Sequence, residues 1–334
     1  MSAQKRTPGR AVPEIAVVVP AFNAAGTIGT TLSALAEQTF NGTSEIVIVD
    51  CGSDDGTQAL VEAAIKANKP ANLKLVGCDS KDPGCACARA NESPPGCRRN
   101  LGVSSTTAPL IAFTDADCAP EPGWLAAGVR ALDHADLVQG AVTPERAPVP
   151  FDRTVSVGGE HGLYETANLF VTRAAFNKVG GFEPVPGIKL GRGEAPFGED
   201  VWFAWRCKRV GATTTFSERA IVNHVVFRRG ALGYVAEQRR RRFFPPLVKA
   251  VPELRGDFLY SRAFLSKRTA YFDLALTGVT TAVLTKRITP LIATLPYVLT
   301  LDRRPTVAAT AIAADAIGAA ALIAGSISAR TVVL

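Results

Sequence analysis

The sequence predicts an α/β protein, with a mostly parallel sheet flanked by helices and an apolar helical region after it. Three observations carry this. Residues 15–19 (IAVVV) and 45–49 (EIVIV) are near-continuous β-branched runs separated by a helical pattern, as buried parallel strands require. A third run, Leu110 to Phe113, breaks at Thr114 into Asp115, Ala116 and Asp117, so a strand end opens into an acidic loop. Beyond Lys267 the composition turns apolar, with little charge over long stretches.

Taken in order, residues 1–12 read as a disordered basic leader. Ile15 to Val19 is the first strand, stopped by Pro20, and the helix opening near Gly26 or Thr27 carries Ile28, Leu32 and Leu35 on one face. The strand 45–49 leads into DCGSDDGT, and a helix from Asp55 or Gly56 carries Leu60, Val61, Ala64 and Ile65. Leu73 to Val76 is a third strand; strand and helix alternating in this way imply right-handed crossovers. Residues 78–96, rich in Gly, Pro and Cys, read as a long loop. Arg98, Arg99 and Asn100 then open a helix whose amides and guanidinium groups suit a phosphate, a solvated basic face being the competing reading. After the acidic strand end come a helix over 120–133, a strand at 137–142, a strand at 167–171 containing Asn168, and a short helix at 173–179 stopped by Gly180 and Gly181. Glu199 and Asp200 begin an amphipathic helix, where plain N-terminal capping would also account for them, and residues 220–227 form a strand containing His224.

Composition narrows the function. The chain has 334 residues, 47% hydrophobic and 20% charged, which excludes wholesale disorder. Residues 1–200 hold 17 Lys and Arg against 23 Asp and Glu, whereas residues 201–334 hold 20 against 7, so the second part expects an anionic partner. Nucleic acid lacks support as that partner: aromatic residues are 7% and no recognition motif occurs. The cysteines at 51, 78, 85, 87, 97, 118 and 207 are odd in number and the N-terminus has no apolar signal core, so free thiols in a reducing cytoplasm are expected. Crowding of Cys78, Cys85, Cys87 and Cys97 raises zinc, but their spacings match no paired ligand pattern.

Two acids one residue apart at a strand's C-terminal end suit a divalent cation completed by substrate phosphates, although Asp is also a common turn residue. VVVPAFNAAGTI, IVDCGSDDGT, RRNLG, FTDADC, GGFEP and GEDVWFAWR, in that order over residues 13–230, together resemble the GT-A family 2 glycosyltransferases. The resemblance implies transfer of a sugar from a nucleotide-diphosphate donor to an acceptor hydroxyl, with inversion. It implies that Pro20, Ala21 and Phe22 border the nucleotide and that Asp50 contacts the base. Asp115 would lie near the ribose, Asp117 would ligate Mn²⁺ or Mg²⁺, and Arg98 or Arg99 would assist at the phosphates. Asp200, in the Glu199-Asp200 pair, matches the general base. His224 falls where some members place a metal or pyrophosphate contact, a packed strand histidine being the other reading. Two departures bear on the nucleotide: Ala24 and Ala25 follow Asn23 where an acid is frequent, and Cys51 stands where a second Asp is frequent.

Arg239 to Arg242 beside Phe243 and Phe244 suit a lipid headgroup surface or a lipid-linked acceptor. The apolar stretches 269–285, 288–301 and 306–329 suggest helices on a membrane face, or a hairpin dipping into it; the third is long enough to span but holds Asp315 centrally, and a soluble helical cap competes. The expected organisation is a leader at 1–12, a GT-A catalytic domain at 13–235 and a basic, apolar helical region at 236–334. The expected role is a metal-assisted transferase at the cytoplasmic face of the membrane, acting on a glycan or lipid-linked acceptor. A nucleotidyltransferase and a non-catalytic binding protein on the same fold are the rivals.

Overall fold

The first half of the sheet is what the apolar runs require. In the computed structural model, which describes residues 12–77, 94–191 and 193–334, Ile15–Ala21 (β1) lies between Ser44–Asp50 (β2) and Leu110–Thr114 (β4), and Leu73–Gly77 (β3) flanks β2. All three pairings are parallel. Helices Ile28–Ala36 (α1), Thr57–Lys66 (α2) and Pro95–Ser104 (α3) make the crossovers. Every residue of β1 is buried because helices cover both faces of this sheet. Gly102 of α3 lies so close to Val18 and Val49 that a Cβ there would collide with both. Pro20 does not stop β1 as expected: it pairs with Val49 inside the strand. The ladder with β4 ends at Val18, so on that side no carbonyl misses the N–H that proline lacks.

Beyond β4 the sheet becomes mixed. Cys118–Pro120 (β5), Trp124–Leu132 (α4), Leu137–Pro144 (β6), Asn168–Thr172 (β7), Arg173–Val179 (α5), Glu199–Arg209 (α6) and Thr214–His224 (β8) follow. The strand order is β3-β2-β1-β4-β7-β6-β8-β5. β7 is antiparallel to both β4 and β6, β6 is parallel to β8, and β5 is antiparallel to β8. β5 takes the place expected for the start of a helix, which opens only at Trp124; three residues are too few for any periodicity to announce them. β8 begins six residues before the expected Ala220, because Thr214 to Ser217 pair with Leu137 to Gly140 without an apolar pattern of their own.

One face of the sheet buries Phe113, Phe176, Phe182, Phe203 and Trp205, with Phe182 stacked on Phe203 at 4.3 Å. The other buries Ile28, Trp124 and Phe170, and Gly128 of α4 leaves room for the Phe170 ring.

After β8 come Ala231–Glu237 (α7), a 3-10 turn at Gln238–Phe243, Phe244–Ala250 (α8), Leu254–Asp257 (α9), Lys267–Thr285 (α10), a second 3-10 turn at Thr289–Thr294, Leu295–Val298 (α11) and Pro305–Ala329 (α12). Among the described residues, α12 is the one helix long and apolar enough to cross a membrane. Its Asp315 is buried: it accepts from Arg268 Nε at 2.8 Å and Tyr297 Oη at 2.8 Å, and Arg241 Nη1 stands at 3.9 Å. The arginine run is used mostly inside the chain. Arg240 donates to the carbonyls of Ala195 and Pro196, Arg242 pairs with Glu194, and Arg241 faces Asp315. Only Arg239 of the four is exposed, so the run is first a brace and the reading as a headgroup surface reduces to that residue. The free aliphatic surface lies elsewhere, at Val283, Leu284, Ile288, Ile292 and Leu299, beside the exposed Lys286 and Arg287.

The second half of the sheet is held at one residue. Asn168 is fully buried; its Nδ2 donates to Ala141 O of β6 and Ala220 O of β8, each at 2.7 Å, and its Oδ1 accepts from Trp124 Nε1 at 2.8 Å. The β6–β8 register shifts between Gly140 and Ala141, and the side chain fills the gap in the ladder that the bulge opens. Gly140 is needed because a Cβ there would overlap the Asn168 amide. Asn168→Ala strands two carbonyls and an indole N–H, each costing about 1–3 kcal/mol. We expect a loss of about 3–5 kcal/mol, read by urea unfolding; a loss below ~1 kcal/mol would mean that the bulge does not depend on the amide.

Candidate functional site

The C-terminal ends of β1, β2 and β4 meet at one edge of the sheet, and Ala21 pairs with Asp50 there. Two loops above them are sewn together. Asn23 N donates to Ser53 Oγ, Ala24 N to Thr57 Oγ1 and Ala25 N to Asp55 Oδ2, at 2.8, 2.8 and 2.9 Å. Asp54 N returns a bond to Asn23 Oδ1. Hydrogen bonds from Thr57 and Ala25 hold the Asp55 carboxyl below its usual range, so Asp55 serves the loop whose own acid is replaced by Ala24 and Ala25.

Pro20 and Ala21 are buried, while Phe22 is exposed beneath the Arg98 guanidinium at 4.8 Å. Asp50 is buried; its Oδ1 accepts from Ser53 N and Gln58 Nε2, and its Oδ2 has no hydrogen-bond partner. Burial lowers the Arg98 pKa, and the Asp50 charge opposes this. Arg98 and Arg99 both leave a buried Nε unpaired. Orphaned buried polar atoms are few in native folds, and three of them gather at this strand-end edge.

Arg99 joins the acidic strand end to α6. Its Nη2 donates to Asp115 Oδ1 at 2.7 Å, and its charge lowers the pKa of both Glu199 and Asp200. Burial raises both carboxyls, Asp200 being pushed up further by Asp115 and Glu199 by Asp200. The two acids then divide their work. Glu199 Oε2 accepts from Gly96 N at 3.0 Å and so caps α3, whereas among the described residues Asp200 Oδ1 accepts from its own helix, at Val201 N, 2.9 Å. The expected phosphate position at the start of α3 is corrected accordingly: the helix opens at Pro95, proline being well suited to that position, and Glu199 holds its first free amide. Asn100 clamps Phe182 through its N and O, each at 2.8 Å, and is structural.

His224 closes the other side. Its Nδ1 lies 2.7 Å from Val225 O, which fixes the proton on Nδ1 and presents Nε2 to Asp117 Oδ2 at 3.7 Å. Asp117 has its pKa raised by burial and by Asp115, with His224 opposing. Asp117, Cys118 and His224 bring one ligand atom each to within 4.8 Å of one another. A carboxylate with an imidazole held in the tautomer that frees Nε2 fits a divalent cation. Cys118, which the motif reading left aside, is buried and pairs with His224 across β5 and β8.

The thiols are not all free: Cys51 is disulfide-bonded, against expectation, while Cys97, Cys118 and Cys207 are free. The zinc reading of Cys78, Cys85 and Cys87 lies outside the described residues.

A family model described as "Glycosyl transferase family 2" matches residues 16–183. Glycosyltransferase AglE of Haloferax volcanii is 27% identical over 226 residues, which are 64% of this chain and 67% of that protein. The mannosyltransferase PcManGT of Pyrobaculum calidifontis, solved in complex with GDP-Man and Mn²⁺, superposes with a TM-score of 0.63 at 18% identity, covering 96% of this chain and 87% of its own. That likeness fixes the fold.

Glu165, which no sequence pattern singled out, feels the Asp200 charge. Its Oε1 lies 3.5 Å from His161 Nε2, its Oε2 is buried without a partner, and burial together with the Asp200 charge raises its pKa to about 8. The unfolded carboxyl ionises near its usual value, so folding is not penalised below pH ~4.5, and the penalty grows until the folded group ionises near pH 8. Glu165→Gln removes that penalty. We expect it to stabilise the protein by on the order of 1–3 kcal/mol at pH 7.5 and by almost nothing at pH 4.5, measured by paired urea melts. Equal effects at both pH values would show that Glu165 ionises normally.

Proposed function

The chain belongs to glycosyl transferase family 2, and on that premise we propose an inverting transferase that moves a sugar from a nucleotide-diphosphate donor to a hydroxyl of a cell-envelope or lipid-linked acceptor. Residues 13–235 carry the transfer. The observation that carries the reading is the junction at Arg99: one guanidinium bonds Asp115 at the end of β4 and bears electrostatically on Asp200. This supports a reading in which the donor-side acid and the candidate base share one guanidinium.

Each residue's part follows from its surroundings. Ala21, Pro20 and Phe22 border the nucleotide, and Asp50 offers its unpaired Oδ2 to the base. Arg98 and Arg99 take the phosphate oxygens, for which guanidinium donors are matched in shape and charge. Asp115 orients the ribose, while Asp117 and His224 would hold Mn²⁺ or Mg²⁺. Such a cation neutralises the diphosphate as it leaves. Asp200, with its own helix amide on Oδ1, takes the proton of the acceptor hydroxyl as the oxygen attacks in line. Glu199 keeps α3 and α6 in register rather than sharing that proton.

Heat-stability shifts with UDP, GDP, dTDP and CDP, with and without Mn²⁺, test the donor site. One nucleotide is expected to stabilise the wild type only with metal, and Asp117→Ala to lose that shift. Asp200→Asn should keep the shift and lose transfer by about 10²–10⁴-fold, the usual contribution of a general base. Absence of a shift with all four nucleotides overturns the donor reading.

Residues 236–334 then serve at the cytoplasmic face of the membrane. Supporting this are the exposed Val283, Leu284, Ile288, Ile292 and Leu299 and the neighbouring Lys286 and Arg287, a basic and aliphatic surface suited to anionic lipid. The protein is expected to sediment with vesicles of phosphatidylcholine and phosphatidylglycerol, and the double variant Leu284→Asp, Ile288→Asp to bind several-fold less. Undiminished binding by the double variant, or no binding by the wild type, rules this surface out.

A further inference from the structure

We propose that Cys118 is a third protein ligand of the cation held by Asp117 and His224, so that the site favours a borderline transition metal such as Zn²⁺ or Co²⁺ over Mg²⁺. The proposal rests on the donor-site reading above and assigns Cys118 a part that the DxD motif does not.

The backbone puts the thiol there. β5 runs antiparallel to the end of β8, with Cys118 opposite His224, so the two side chains are cross-strand neighbours. Asp117 is fixed beside them: its carbonyl accepts from Val225 N at 3.0 Å, and Asp115 O accepts from Cys118 N at 3.2 Å. The first bond ties the two segments together and the second fixes the turn that carries Asp117.

The spacing suits one ion. Ligands about 2.0–2.3 Å from a tetrahedral centre stand about 3.3–3.8 Å apart. Cys118 Sγ is 3.7 Å from Asp117 Oδ1, and His224 Nε2 is 3.7 Å from Asp117 Oδ2. All three ligand atoms lie within 4.8 Å of one another, so a small rotation closes the set. On binding, the sulfur–metal bond forms as the thiol proton leaves for solvent. Substrate oxygens and water complete the coordination.

The donor set then decides the metal. One carboxylate, one imidazole and one thiolate offer oxygen, nitrogen and sulfur; Mg²⁺ prefers an all-oxygen shell, whereas Zn²⁺ and Co²⁺ accept mixed ligands and bind nitrogen and sulfur more tightly. A serine or alanine at 118 would return the site toward hard cations.

Titration of the full chain with Co²⁺ alone, followed by absorption, tests this. The expected result is a near-ultraviolet thiolate-to-cobalt band with intensified visible bands, lost in Cys118→Ser and Cys118→Ala while both variants melt as the wild type does. The same band should fade in His224→Ala, which separates this site from the other cysteines of the chain, Cys78, Cys85, Cys87, Cys97 and Cys207 among them. Visible cobalt bands without the thiolate band, or a thiolate band that persists in Cys118→Ala, overturn the proposal and leave the donor reading standing. No bound cobalt at all overturns both the Cys118 assignment and the metal part of that reading.

Discussion

The Asn168 amide is the constraint on which the second half of this structure depends. A register shift in a parallel ladder leaves carbonyls without partners, and here Asn168 supplies the missing donors to β6 and β8 while anchoring the indole of α4. Without the shift, β8 would run on in step with β6. With it, the end of β8 reaches β5, and His224 arrives opposite Cys118 and beside Asp117. A residue buried in the middle of the sheet thus sets the geometry of a site at its edge. Because the amide meets three different elements, relaxation of any one of them cannot restore the other two bonds.

Charge is the second constraint. Asp115, Asp117, Glu199 and Asp200 converge on Arg99 and His224, and burial raises the pKa of Asp117, Glu199 and Asp200. A donor diphosphate bound as proposed would bring further negative charge to the same place. Arg98 and Arg99 would offset part of it, and a cation between Asp117 and His224 would lower the repulsion on both sides at once. The same field explains the division between the two acids of α6. Glu199 is tied to the amide of Gly96 and gains a hydrogen bond to its charged form, while Asp200 is raised by burial and by the Asp115 charge, in the direction that suits a proton acceptor.

What the chain discloses in advance depends on how local the physics is. Strands β1, β2 and β4 are buried on both faces, so their apolar runs stand out, and the acids at the end of β4 follow directly from the run Leu110 to Phe113. The helix 173–179 is announced by Gly180 and Gly181 and occurs with those bounds. Three features escape because their cause is distant. β5 is a strand only because β8 lies beside it. Glu165 has an unusual environment because it is buried and because Asp200 comes from elsewhere in the chain. Pro20 is tolerated in β1 only because its neighbour β4 has already ended its pairing. The arginine run shows the reverse case, a pattern visible in the sequence whose use is fixed by partners that only the fold supplies.

Those partners link the basic C-terminal region to the candidate base. Arg240 and Arg242 grip residues 194–196, directly before α6, and Phe197 packs on Phe243 and Phe244. Gly198, in a left-handed conformation, is pressed against Leu247 of α8 and starts the helix that carries Asp200. On the far side of the same arginine turn, α12 packs through Gly318 against Arg241 and through Gly325 against the Arg242 backbone, with Asp315 neutralising the buried charge. An aspartate at the middle of an apolar helix would be costly in lipid; here it faces protein and is paired, so α12 belongs to the buttress of the site along that face. The aliphatic surface begins with Val283 and Leu284 at the end of α10, whose first turn holds the Arg268 that pairs with Asp315. Paired charges and packed rings thus connect α10 and α12 to the chain just before the helix that presents Asp200.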